Sequence, residues 1–168
     1  VFMNKRGLTQ RHPSIAVAAP VAGRLFPLSE VSDQNFSRGY LGEGVAIEPS
    51  DDLVVAPFAG TVSHIAETKH ALLLKHACGL QLLIHIGIDT IDLQGEGFDM
   101  LVRVNDQVGA RQPLVTFDHA LIRESGYPAC VIFIAIGTAP HIASIACSYR
   151  EVQLGEQDAF RIMLKHTT

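Results

Sequence analysis

Three features of this chain predict an all-β sandwich. Short apolar segments of alternating character recur from Ile15 onward. Gly and Pro punctuate them closely, as in proteins built from many short strands. The phrase A-P-V-A-G at 19–23 returns as A-P-F-A-G at 56–60, each copy followed by an alternating segment, which marks a repeated turn geometry.

The 168 residues suit one domain, and a chain of that size buries about 70% of its unfolded surface without disulfide staples. Cys78, Cys130 and Cys147 are odd in number and lack any C-x-x-C spacing, so they read as reduced core thiols, not metal ligands. A formal charge of −4 with scattered basic residues excludes a nucleic-acid stripe and suits a basic protein partner. The most apolar run, 129–136, is far too short to span a bilayer, and the N-terminus lacks the apolar core of a signal peptide. These features describe a soluble cytoplasmic chain. Its first residue is Val, as in a processed or trimmed protein or a piece of a longer polypeptide.

Residues 1–14 are polar and basic without a period, hence a tail or linker, and 15–168 form the domain. Strands are expected over 17–19, 23–26, 44–48, 53–56 and 60–65, before a central hairpin. Residues 32–36 suit a loop or single helical turn, with Phe36 either a solvent-facing apolar contact or a core residue. After the hairpin, Asp89 is placed to cap the next segment. The glycines of G-E-G-F at 95–98 lack the strand, spacing and helix of a dinucleotide loop. A tight-turn motif follows at 104–114, then a short helix after Asp118 closed near Gly126, a buried strand over 131–136, and two short strands within 155–164. His12, His141 and His166 have no spacing relation to other histidines and read as solvated or structural.

The hairpin carries the chemistry. Apolar runs at 71–74 and 80–88 flank Ala77-Cys78-Gly79, where Gly79 can take the positive φ of a three-residue turn. A turn there pairs residues whose numbers sum to roughly 155 or 156, which sets His70 nearly opposite His85. Facing Cβ atoms on paired strands lie about 4.5 to 5.5 Å apart, so two imidazoles could share a phosphoryl group or a metal ion. A slip of one residue would put the rings on opposite faces. A lone His in an apolar strand also fits a hydrogen-bonded core residue.

Several blocks in fixed order resemble the glucose-type enzyme IIA domains of the bacterial phosphoenolpyruvate-dependent sugar phosphotransferase system. They are V-A-I-E-P at 45–49, A-P-F-A-G-T-V at 56–62, E-T-K-H-A at 67–71, I-H-I-G-I-D-T-I-D-L-Q-G-E-G-F at 84–98 and G-A-R-Q-P-L at 109–114. The resemblance implies an antiparallel β-sandwich or distorted barrel of the duplicated hybrid motif type, with one or two short helices. It implies a phosphotransferase in which His85 is the phosphorylated nucleophile, His70 its partner and Thr68 the residue orienting His70. Asp33 and Asp89 match acidic positions that dock the phosphocarrier protein HPr, with Phe36 and Leu83 as apolar docking positions. The implied reaction takes a phosphoryl group from phospho-HPr and passes it to a cysteine of enzyme IIB, free-standing or fused as IIB/IIC, for sugar uptake, with association to IIBC bringing the domain to the membrane. Neutral imidazole is a competent nucleophile near pH 7, and Gly87 would leave room for a partner to approach in line. No cofactor is required. His70 and His85 could contribute ligands to a zinc ion at an interface. Family members surround the histidines with aromatic residues; the corresponding positions here are Ala66 and Leu83, which implies a different partner preference. Beyond Phe117 the match weakens, and no role is transferred from 127–134.

Two other readings compete. His85-x-x-x-Asp89 has the spacing of a zinc metallopeptidase on a related hybrid β fold, but that class needs an H-x-H pair and none occurs. A regulatory module would use phosphorylation of His85 to control docking to transporters or metabolic enzymes.

Overall fold

The computed structural model describes residues 13–136 and 142–164. Among them run the strands β1 (Ser14–Val17), β2 (Gly23–Pro27), β3 (Glu43–Pro49), β4 (Leu53–Val55), β5 (Gly60–Ile65), β6 (Ala71–Lys75) and β7 (Gln81–Ile86). They continue with β8 (Phe98–Met100), β9 (Gln107–Val108), β10 (Pro113–Phe117), β11 (Val131–Ile136), β12 (Ile142–Cys147), β13 (Glu151–Val152) and β14 (Phe160–Leu164). Two short helices, α1 (Gln34–Ser37) and α2 (His119–Glu124), complete the chain with two turns of 3-10 helix. The expected all-β class with little helix is what forms.

Every pairing described is antiparallel. The largest sheet has eight strands in the order β13-β2-β3-β11-β7-β6-β5-β9, and two three-stranded sheets, β1-β14-β12 and β4-β10-β8, accompany it. The repeated phrases meet: Ala18 N–H donates to Pro57 O (2.9 Å) and Val55 N–H to Pro20 O (2.8 Å).

Alternation explains the layers. On β7, Leu82, Ile84 and Ile86 enter the main core with Val131 and Phe133 of β11 and Val45 and Ile47 of β3. The opposite face of the same strands is also apolar. Phe26, Ala46, Ile132 and Ile134 gather there under Leu28, Val31 and Phe36, with Leu83 packed alongside. The chain between β2 and β3 thus folds back over the outer face of the sheet. Within this segment Asp33 accepts from Asn35 N–H at 2.7 Å and caps α1. That outer face carries His85.

Some expectations change. Strand β1 opens at Ser14, inside the segment read as a tail; residues 1–12, His12, His141 and His166 lie outside the described residues. The closing segment gives one strand, not two, because Gly155 (φ 76) and Asp158 (φ 53) take left-handed conformations that no strand can continue. Strand β12 was not anticipated, since the small residues of I-A-S-I-A-C blur its alternation. Helix α2 forms as expected, with Leu121 N–H donating to Asp118 Oδ1 at 3.0 Å.

Candidate functional site

His85 sits on the outward face of β7, opposite Ile132 of β11 on one side and Ala71 of β6 on the other. It is half-buried. Its Nδ1 lies 2.9 Å from the carbonyl oxygen of Gly87. A carbonyl only accepts, so Nδ1 carries the proton and, in the neutral ring, Nε2 carries the lone pair. Burial, then the charge of His70, pushes the His85 pKa from 6.5 down to about 4, against the Gly87 hydrogen bond and the Asp33 charge, which raise it. The ring is therefore a neutral base with a defined nucleophilic nitrogen at physiological pH.

His70 arrives from just outside β6. The hairpin turns as expected: Gly79 (φ 99) closes it, with His76 N–H donating to Leu80 O at 2.8 Å. Its register pairs Ala71, not His70, with His85. On a continuing strand His70 would face the opposite side. It does not continue: Lys69 adopts φ 63, and the chain turns before β6 begins. At this break in the ladder the ring of His70 lies 4.9 Å, centroid to centroid, from that of His85, with the planes at 83°. Ile86 N–H donates to His70 O at 2.7 Å and ties the two segments together. Thr68 Oγ1 lies 2.6 Å from His70 Nδ1. When the hydroxyl donates, Nδ1 accepts and Nε2 bears the proton, ready to donate to an anion. His70 is buried, and burial lowers its pKa.

Both rings open into a depression of about 250 Å³ lined also by Asp33, Asn35, Phe36, Leu41, Asp89, Thr90 and Ile91. Four sequence-based expectations are corrected or narrowed here. Phe36 is 7% exposed and packs against His85 with ring centroids 5.1 Å apart, so it is a wall of the site and not a solvent-facing docking residue. Leu83 is half-buried against the same outer cluster. Asp89 makes no side-chain cap; at φ 61 it is an exposed carboxylate at the rim. Gly87 does not open a path for a partner: it is buried at φ 77, and a Cβ there would stand 2.4 Å from Thr90 Cγ2. Its use is to aim a carbonyl at His85.

Sequence reasoning missed Leu41 and Ile91, which are 45% and 56% exposed and form an apolar rim beside the acidic pair. Neither stands out in the sequence, because an apolar residue in a loop looks like any core residue until its exposure is known.

The histidines supply two nitrogen donors, half of a tetrahedral zinc set. Among the described residues no group of three or more His, Cys, Asp or Glu is arranged to hold a metal ion, which leaves the metallopeptidase reading without support. None of the described helices is long and apolar enough to cross a membrane.

Residues 15–139 match the family model described as phosphoenolpyruvate-dependent sugar phosphotransferase system, EIIA 1. The chain is 34% identical over 165 residues to the glucose-specific EIIA component of Oceanobacillus iheyensis, covering 97% of this chain and 99% of that one. It is 46% identical over 114 residues to the glucose-specific EIIBCA component of Corynebacterium glutamicum, covering 68% of this chain but only 17% of that longer protein. The solved structure of glucose permease IIA from Mycoplasma capricolum superposes with a TM-score of 0.75 at 31% identity, covering 88% of this chain and 96% of that one.

Proposed function

The chain belongs to the EIIA family of the phosphoenolpyruvate-dependent sugar phosphotransferase system, and from that premise we propose that His85 Nε2 accepts a phosphoryl group from phospho-HPr and passes it to a cysteine of enzyme IIB. The observation that carries this reading is the forced tautomer: the Gly87 carbonyl holds the proton on Nδ1 and leaves Nε2 as the nucleophile.

In the first step the lone pair of Nε2 attacks phosphorus, the P–N bond to the donor imidazole breaks, and that imidazole keeps the electron pair. In the second, a thiolate attacks phosphorus, the P–Nε2 bond breaks, and its electrons return to His85 as the lone pair. The proton stays on Nδ1, donated in a hydrogen bond to Gly87 O, throughout, so neither step waits for a proton to leave His85. Phosphoryl transfer needs mainly positioning and charge stabilisation. His70, oriented by Thr68, donates to the phosphoryl oxygens as charge develops. No step runs through a metal; an interfacial zinc using both histidines would need its remaining ligands from a partner.

The rim suits docking. Asp33 and Asp89 offer negative charge to an arginine-bearing face of HPr, while Leu41 and Ile91 offer exposed apolar contact beside it. The relatives named for fused EIIB and EIIC components support IIB as the onward acceptor and a place beside IIC.

The test is incubation with enzyme I, HPr and phosphoenolpyruvate. The protein should gain acid-labile phosphate and the His85→Ala variant none; phosphate on the variant overturns the assignment.

A further inference from the structure

Building on the phosphoryl-acceptor role of His85, we propose that Thr90 is a positioning residue for that reaction, its buried hydroxyl anchoring the bend that aims the Gly87 carbonyl at His85.

Only two polar or charged side chains are buried among the described residues, His70 at 8% exposure and Thr90 at 0%, and both border the same depression. A buried hydroxyl is costly unless it is bonded. The Thr90 hydroxyl donates to the carbonyl of Ile86, the last residue of β7. Ile86 in turn gives its N–H to His70 O. One residue, Ile86, thus joins the end of β7 to the segment bearing His70 through its N–H and to Thr90 through its carbonyl.

Gly87 lies inside the bend that this bond closes. Its N–H donates to Cys130 O (2.8 Å) and Ile88 N–H donates to Pro128 O (3.0 Å), which fixes the outer side of the bend against the chain entering β11. The inner side rests on Thr90, whose methyl fills the space that a Gly87 side chain would take. The hydroxyl and the methyl therefore act on consecutive residues, Ile86 and Gly87. The carbonyl they orient is the one that keeps the proton on His85 Nδ1. Without the hydroxyl, the Ile86 carbonyl is buried with a lost partner, and the bend must shift to recover one. That shift moves the Gly87 carbonyl off the Nδ1–H direction, lets the neutral ring populate its other tautomer, and removes the lone pair from Nε2.

The test uses the whole chain and reads the His85 ring directly. In ¹⁵N NMR at pH 7, the unmodified protein should show one His85 tautomer, protonated at Nδ1. Thr90→Val, which keeps the shape and loses the donor, should show a mixture and accept phosphate from phospho-HPr at least tenfold more slowly. Thr90→Ser, which keeps the donor, should restore both. A Thr90→Val protein with the original tautomer overturns the proposal, whether or not its transfer slows, since slowing alone would mark a merely structural role. Should Thr90→Val fail to fold, Thr90→Cys places a weaker donor there and must give an intermediate tautomer ratio; an unchanged ratio overturns the proposal. If the unmodified protein accepts no phosphate, the phosphocarrier reading fails by itself, while the tautomer comparison still judges Thr90.

Discussion

The rings of His70 and His85 meet nearly at right angles, centroids 4.9 Å apart, although the ladder places Ala71 rather than His70 opposite His85. Two bases at this distance share one local field. Protonating His70 makes His85 harder to protonate, and burial lowers both pKa values. A phosphoryl group on His85 reverses the sign, because a nearby anion favours the charged form of His70 and strengthens its donation.

His70→Ala, which leaves no donor at this position, should therefore separate the two half-reactions. Acceptance on His85 should persist, while onward transfer to enzyme IIB slows by about 10²-fold, the usual size of losing one donor to a developing charge. Rapid-quench kinetics checks this, and an unchanged onward rate removes His70 from the step. The same variant should let the His85 pKa rise, because the His70 charge is one cause of its depression.

Stability should fall with acid in a defined window. The pKa of His85 is lowered from 6.5 to about 4 by folding, so between those values the unfolded chain binds more protons than the folded one. The contribution is complete above pH 6.5 and declines as pH drops, by roughly 3 kcal/mol when pH 4 is reached. Urea unfolding at pH 7 and pH 4.5 should show the decline, and His85→Gln should show less of it. An equal decline in both proteins contradicts the assignment.

Gly87→Ala should cost about 2 kcal/mol or more, combining a left-handed backbone with a contact that cannot be accommodated. It should also slow phosphate acceptance, since relief of that contact moves the carbonyl that holds Nδ1. Denaturation midpoints and initial rates measure the two effects.

Much of this was legible in the sequence because it is local. Gly79 announced the turn, the apolar runs announced the strands, and the spacing across one turn announced a pair of histidines. What was not legible depends on contacts the sequence does not order. The register pairs Ala71 rather than His70 with His85, and the two rings meet only where the ladder ends; nothing about a lysine in a turn signals the left-handed conformation that Lys69 takes at that point. Phe36 could be read either way, because the folding of the 28–36 segment over the outer sheet face is a tertiary event. Gly87 was correctly singled out but for the wrong reason: its neighbour Thr90 fills the space that seemed open.

The acidic rim predicts how the partner arrives. Asp33→Asn with Asp89→Asn should lower the association rate with phospho-HPr about tenfold at low salt and much less at high salt. Asparagine retains an oxygen to cap α1, so the helix should stay folded. Stopped-flow association at two ionic strengths checks this, and equal rates for variant and parent at low salt would contradict docking through these residues.

The most direct measurement is the position of the phosphoryl group on the ring. After phosphorylation by enzyme I, HPr and phosphoenolpyruvate, ¹⁵N and ³¹P NMR should show a single phosphate bonded to Nε2 of His85, with Nδ1 still protonated. Phosphate on Nδ1, on another histidine, or nowhere would contradict the account.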